Sequence, residues 1–180
     1  MSKARIEVRD SAIHGRGVVA LTPIAKGKKI IEYTGERIDW DEADRRPPSD
    51  PDDPNHTFFF SLSDGATVID AAVGGNDARW INHSCKPNCE AIETDDGRVF
   101  IHARRDLEPG EELNYDYGLI LEERITKKLR KAYECRCGAK KCRGTMLAIG
   151  KDSPAAKARD KKAGKGNKKE AKKDKRKKKD

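Results

Sequence analysis

Arg79-Trp-Ile-Asn-His-Ser-Cys-Lys-Pro-Asn-Cys89 is the stretch on which the reading of this chain turns, because two of its five cysteines fall there and the other three recur fifty residues later. Those three, Cys135, Cys137 and Cys142, stand as C-x-C-x4-C. Three thiols so closely spaced cannot all pair with one another, and an odd total argues against a disulfide framework. A metal accounts for them better. Structural zinc takes four soft ligands in a tetrahedron, and a short knuckle supplies three of them while a distant segment closes the fourth corner. The spacing therefore predicts a long-range contact between the knuckle and another part of the chain.

At 180 residues the chain suits one domain, long enough to bury a single core. Lys3, Arg5, Glu7, Arg9 and Asp10 interrupt the first twenty positions, so no signal-peptide core is expected, and no segment approaches the ~20 apolar residues of a membrane span. The expectation is an intracellular protein without membrane contact, in reducing surroundings that suit metal-bound thiols better than bridges. Its formal charge of +8 is unevenly spread. Lys151 to Asp180 holds 15 Lys plus Arg and 5 Asp plus Glu, leaving 24 basic and 26 acidic residues in the first 150. The tail has no Val, Ile, Leu or aromatic residue and cannot repay the entropy of ordering itself, so residues 151–180 are expected to be disordered. Such a segment reads as a solubilising terminus, as a salt-sensitive, non-specific arm for nucleic acid, or as a nuclear import signal around Lys175 to Lys179.

Elsewhere, short apolar or β-branched runs alternate with turns. Ile6 to Val8, Val18 to Leu21 and Ile30 to Tyr33 read as strands, separated by His14-Gly15-Arg16-Gly17 and by Pro23 to Lys29. Phe58 to Leu62 and Thr67 to Asp70, joined by Ser63-Asp64-Gly65, read as a hairpin, and Arg98 to Ala103 follows the turn Asp95-Asp96-Gly97. The acidic, proline-bearing segment Asp39 to Asn55 reads as a mobile loop. Its carboxylates would favour a cationic peptide passing beside it, or serve only to solvate it. Leu121, Ile125, Leu129 and Ala132 or Tyr133 recur at helical spacing, with Glu122, Glu123, Arg124, Lys127 and Lys128 on the wet face, which predicts a helix over 120–133.

Five patterns occur in order: S-A-I-H-G-R-G-V from Ser11, I-I-E-Y-T-G-E from Ile30, the stretch from Arg79 to Cys89, E-L-N-Y-D-Y from Glu112, and E-C-R-C-G-A-K-K-C-R-G-T from Glu134. Together they resemble the SET-domain protein lysine methyltransferases, from about Ile6 to Leu147. The resemblance implies a mainly β, β-clip fold of small sheets. In it the N-H-S-C and E-L-N-Y-D-Y segments form a pseudoknot-like threading, an exception to the rule against threaded chains, and one C-terminal helix leads to a zinc-bound post-SET segment. The implied divisions are 1–119 for the SET domain with an insertion at 39–57, 120–133 for the linking helix, 134–150 for the post-SET segment and 151–180 for the tail. No cysteine-rich pre-SET cluster precedes the motifs, so the layout resembles compact, stand-alone members.

The resemblance also implies roles. S-adenosylmethionine would donate a methyl group to a lysine amine, a reaction governed by position. Tyr117 matches the tyrosine at the transfer point, and Tyr33 the second family tyrosine, near the cofactor and lining the lysine channel. Tyr115 matches a position that is tyrosine or phenylalanine in the family, and tyrosine there implies mono- to dimethylation. Arg16, Gly17 and Val18 match the first cofactor-binding turn, where small residues let backbone approach a ligand. Asn82 and His83 match central cofactor contacts, with Arg79 nearby, and Leu147 matches the post-SET position over the adenine. Cys135, Cys137 and Cys142 match the zinc ligands, with Cys85 as the fourth, leaving Cys89 as a small buried thiol. The implied substrate is a Lys- or Arg-rich protein such as a histone, a histone-like nucleoid protein, a ribosomal protein or the chain's own tail, bound as an added strand. The rival reading is a nucleic-acid-associated scaffold that uses the tail and an inactive SET fold.

Overall fold

The computed structural model describes residues 5–149 apart from 52, 54 and 122. Ten short strands run in chain order: β1 (Ile6–Asp10), β2 (Arg16–Ala20), β3 (Lys29–Tyr33), β4 (Glu36–Asp39), β5 (Phe59–Ser61), β6 (Thr67–Asp70), β7 (Asn82–His83), β8 (Cys89–Glu93), β9 (Val99–Ala103) and β10 (Glu112–Tyr115). A helix α1 (Trp40–Arg45) follows β4, a 3-10 turn (Asp77–Trp80) precedes β7, and α2 (Lys127–Ala132) follows β10. The strands form three small sheets, ordered β1-β2-β10-β7, β3-β9-β8 and β4-β6-β5. This is the mainly β architecture the motifs imply.

Each strand's burial follows its place. The central strand β9 reads Val-Phe-Ile-His-Ala and is buried at all but His102, as a strand covered on both faces requires, whereas in the edge strand β8 the exposed Glu90 and Ile92 alternate with the buried Cys89 and the half-buried Ala91 and Glu93. Val18, Ile24, Ile69, Val99, Ile101 and Leu113 meet in one core shared by the three sheets. The expected hairpin forms between β5 and β6, and Asp64 organises its turn by accepting the Ala66 and Thr67 N–H groups at 2.8 Å each. Among the described residues no helix is long and apolar enough to cross a membrane.

Two segments differ from expectation. The stretch from Asp39 does not begin as a loop: Asp39 caps α1 by accepting the Glu42 N–H at 2.8 Å, and Arg46 binds Glu36, Glu42 and the buried Asp70. Part of the acidity of this region is thereby spent inside the fold, on one guanidinium. Among the described residues the helix expected over 120–133 forms only at Lys127–Ala132, where Thr126 caps it by accepting the Leu129 N–H at 3.2 Å. Further upstream, Leu119 is committed to extended pairing: its N–H donates to Met146 and its carbonyl accepts from Ala148. Ile125, Leu129 and Tyr133 remain half-buried, so the apolar stripe survives although most of its helix does not. The readings placed on the Lys-rich tail fall outside the described residues.

Candidate active site

β10 carries the site because it touches two strands in opposite senses. It pairs antiparallel with β2, Leu113 opposite Val18, and parallel with β7, Asn114 opposite Asn82 and Tyr115 opposite His83. The N-H-S-C and E-L-N-Y-D-Y segments are thus side by side, the contact expected of the pseudoknot-like arrangement. Beyond these short ladders, side-chain amides complete the pairing. The Asn114 N–H donates to Asn88 Oδ1 at 2.9 Å, the Asn88 N–H to Asn114 Oδ1 at 3.1 Å, and Asn88 Nδ2 to the Glu112 carbonyl at 2.8 Å.

Four aromatic rings line up behind this junction. Tyr33 and Phe60 lie 5.4 Å apart between ring centres, Phe60 and Tyr115 6.4 Å, and Tyr115 and Tyr117 4.9 Å. Phe60, Tyr115 and Tyr117 wall one cavity of about 250 Å³, together with Pro87, Cys89 and Arg104 among others. The Tyr117 hydroxyl donates to the Ile81 carbonyl and that of Tyr33 to the Phe58 carbonyl, each at 2.8 Å. Burial raises all three tyrosine phenols, so they stay protonated. They are hydrogen-bonding groups and not phenolate bases.

His83 links the tyrosines to the cysteines. Its Nδ1 accepts the Tyr117 N–H at 3.1 Å, which places the ring proton on Nε2, 3.4 Å from the Cys85 sulfur. Burial pushes the imidazole down to about 4, while Asp116 pulls the other way and Arg143 adds to the fall. Asp116 stands between Tyr115 and Tyr117. Burial would raise its carboxyl, but the hydrogen bonds and positive charge of Arg143, with the Gly118 N–H and His83, together outweigh burial and hold it below the ordinary carboxylate range.

The residues matched to the cofactor turn are drawn together around Glu112. Asn82 Nδ2 lies 2.9 Å from the Arg16 carbonyl and 3.0 Å from Glu112 Oε1, and the Ser11 hydroxyl donates to the same carboxylate at 2.8 Å. A Cβ on Gly17 would stand 2.5 Å from Glu112 Oε1, so only glycine leaves that carboxylate its place. Val18 is wholly buried in the core. Arg16 and Arg79 lie 4.8 and 5.0 Å from the ring centre of Trp80, and Arg79 Nη1 donates to the Ala71 carbonyl at 3.1 Å. Leu147 is 0% exposed and bridges in parallel to Leu119, two residues beyond Tyr117. Glu112, Ser11, Asp116 and Arg143 lie inside the motifs with no local signal of a role, and Phe60, in β5, is one of three consecutive phenylalanines.

Cys85 joins Cys135, Cys137 and Cys142 with all four sulfurs within 4.8 Å of one another. Cys85 Sγ is 3.7 Å from that of Cys135 and 3.8 Å from that of Cys142. A tetrahedral ion with bonds of about 2.3 Å sets its sulfurs about 3.8 Å apart. Backbone N–H groups of Cys85, Cys137 and Gly144 point at the sulfurs, at 3.5, 3.4 and 3.3 Å, which favours thiolates. The donor set and spacing fit a zinc ion. Cys89 stands apart, 0% exposed in β8, and burial pushes its thiol up to about 12.

Known proteins resemble this chain in sequence. The SET domain profile matches residues 15–118. The chain is 42% identical over 139 residues to the Candida albicans protein named histone-lysine N-methyltransferase, H3 lysine-4 specific, covering 76% of this chain and 13% of that protein. It is 40% identical over 139 residues to the Drosophila melanogaster histone-lysine N-methyltransferase trr, covering 76% of this chain and 6% of the relative. For the Homo sapiens histone-lysine N-methyltransferase SETD1B the identity is 34% over 148 residues, 80% of this chain and 7% of the relative. The chain thus spans only a small part of the length of these relatives. With its N-H-S-C strand set against E-L-N-Y-D-Y inside the matched region, the chain belongs to the SET-domain family.

Proposed function

We propose that this chain methylates lysine side chains on a basic protein, with S-adenosylmethionine as donor and mono- to dimethyllysine as the main product. The observation that carries the reading is the cavity of about 250 Å³ walled by Phe60, Tyr115 and Tyr117, with Tyr33 packed behind Phe60. Histones are the first substrate class to test, because the relatives are named histone-lysine N-methyltransferases. Histone-like nucleoid proteins, ribosomal proteins and the chain's own lysines are the others.

S-adenosylmethionine, when bound, supplies an electrophilic methyl group on a sulfonium. What the chain must supply is a neutral amine in line with it. A lysine with an ordinary value of about 10.4 is mostly charged near neutrality, and an apolar aromatic cavity beside a second positive charge lowers that value. Protonated phenols suit such a cavity because they orient an amine lone pair without adding charge. Tyr117, tied through its hydroxyl to Ile81 and through its N–H to His83, is assigned to the transfer point, and Tyr33 to the channel beside it. The Tyr115 hydroxyl would keep room from a further methyl. Arg16, Gly17, Val18, Tyr33, Arg79, Asn82, His83 and Leu147 are the residues assigned to the cofactor, and the ring of Trp80 beside the Arg16 guanidinium would suit a purine and a carboxylate. The zinc cluster would be structural, holding the C-terminal segment to Cys85.

The test is transfer of labelled methyl groups to histones and a panel of other basic proteins by the wild type, by Tyr117→Phe and by a chain ending at Lys151. Transfer that falls about 100-fold in Tyr117→Phe and survives removal of the tail is expected. Nucleic-acid binding without transfer to any protein would replace the enzyme with the scaffold reading.

A further inference from the structure

The Arg143 side chain makes four contacts, and they tie the cysteine knuckle to the tyrosine segment. Arg143 follows the cluster residue Cys142 directly. Its Nη1 donates to Asp116 Oδ2 at 2.6 Å and its Nη2 to Asp116 Oδ1 at 2.5 Å, while Nε donates to the Thr145 carbonyl at 3.1 Å and Nη2 also to that of Met146 at 3.4 Å. Asp116 is flanked by Tyr115 and Tyr117 and lines the same cavity. Its Oδ1 accepts the Gly118 N–H at 3.0 Å and lies 3.6 Å from His83 Nδ1, the atom that accepts the Tyr117 N–H. One guanidinium thus grips the turn Thr145-Met146 that leads into Leu147 and, at its other end, the carboxylate around which the two tyrosines are arranged.

We propose that Arg143 is a positioning residue for methyl transfer, a two-pronged latch on Asp116 that holds Tyr115 and Tyr117 in register with the metal-bound knuckle. This rests on the methyltransferase reading of the site. A planar fork fixes a carboxylate in rotation as well as in distance, which a lysine ammonium cannot do. Asp116 cannot turn without giving up the Gly118 N–H and changing its distance to His83, the ring that holds the Tyr117 amide. Because in-line transfer is sensitive to displacements of about 1 Å, a loosened Asp116 is felt in the chemical step more than in substrate binding. The cysteine cluster sets where the knuckle is, and Arg143 passes that placement on.

Arg143→Ala, Arg143→Lys, Asp116→Asn and the double variant Arg143→Ala with Asp116→Asn test the latch, with bound zinc measured in each. Both alanine and asparagine variants are expected to keep the wild-type zinc content and lose about 10- to 100-fold in kcat, with KM for a basic peptide changed far less. Arg143→Lys is expected to restore little, and the double variant to be no worse than the poorer single one. Amide exchange at 114–118 is expected to quicken in every variant, a readout that needs no methyl transfer. Additive losses, a change confined to KM, or unchanged exchange in zinc-loaded Arg143→Lys would overturn the latch. If the wild type transfers no methyl group to any basic protein, the reaction assignment fails, and exchange still decides the latch.

Discussion

The tyrosine-walled cavity and the cysteine knuckle meet at one place yet are held by different physics. Phe60, Cys89 to Ala91 and Tyr115 bring the cavity's walls from β5, β8 and β10, whose backbones are paired, and Val18, Ile101 and Leu113 in the same sheets are wholly buried. Residues 134–149 contain no strand or helix, and only Thr145, Leu147 and Ala148 among them are buried. The knuckle's fixed points are four sulfurs, the Leu119–Leu147 bridge and the Arg143 fork. A core region is stabilised by burying its own apolar surface, whereas a short polar segment must borrow rigidity from an ion and from the domain it lies on.

Removing the metal is the strongest way to break this contrast. Chelation, or Cys137→Ser, is expected to free the knuckle and abolish methyl transfer while far-ultraviolet circular dichroism of the sheets persists, since structural zinc contributes about 10–16 kcal/mol to a segment that folds around it. Full activity in the metal-free protein would remove any need for the cluster. Next in size is Leu147→Ala, which leaves a hole where the side chain is wholly buried and costs about 2–5 kcal/mol. If the two regions are held separately, that loss will appear as faster trypsin cleavage at Lys140 and Lys141 with the thermal midpoint of the core little changed. A midpoint falling in step with cleavage would mean one cooperative unit.

A smaller effect probes the core side. Gly17→Ala sets a methyl group 2.5 Å from Glu112 Oε1, and that carboxylate is already held by Ser11 and Asn82. A cost of about 1–3 kcal/mol and a raised KM for S-adenosylmethionine are expected, and both staying at wild-type values would show that Glu112 is free to move. Tyr115→Phe should have the least effect on stability, about 1 kcal/mol or less. Its signature is a shift towards more highly methylated lysine, read by mass spectrometry. Abundant trimethyllysine from the unmutated protein would end the argument from Tyr115.

Much of the frame was legible in advance because its determinants are local. The hairpin at β5 and β6 could be read from Asp64-Gly65, since the turn is organised by its own aspartate. Cys85 as partner of the knuckle, and Tyr33, Tyr115 and Tyr117 as residues of one site, are implied by the resemblance of the motifs to the SET family, not by their spacing. The rest was hidden for physical reasons. β7 is two residues long, too short to leave a period in the sequence. The apolar stripe from Leu121 to Tyr133 suggests a helix to any periodicity argument, but Leu119 is recruited as a pairing partner of Leu147 and Thr126 restarts the helix later. Glu112 reads as an exposed strand acid until Ser11, more than a hundred residues away, donates to it.

The amino-acid sequence by itself determined the donor chemistry of this protein: three thiols with metal-ligand spacing that call for a distant fourth ligand, aromatic hydroxyls in a fixed order and a glycine turn. Those depend only on residue type and distance along the chain. Tertiary structure alone decided the partners: Asn82 turning its amide to Arg16 and Glu112, Arg46 drawing in Asp70, and Arg143 gripping Asp116. Which side chains meet depends on strand pairing between distant segments, above all β10 lying between β2 and β7. No local pattern encodes that juxtaposition, because the burial and backbone bonding that favour it exist only once the sheets have formed.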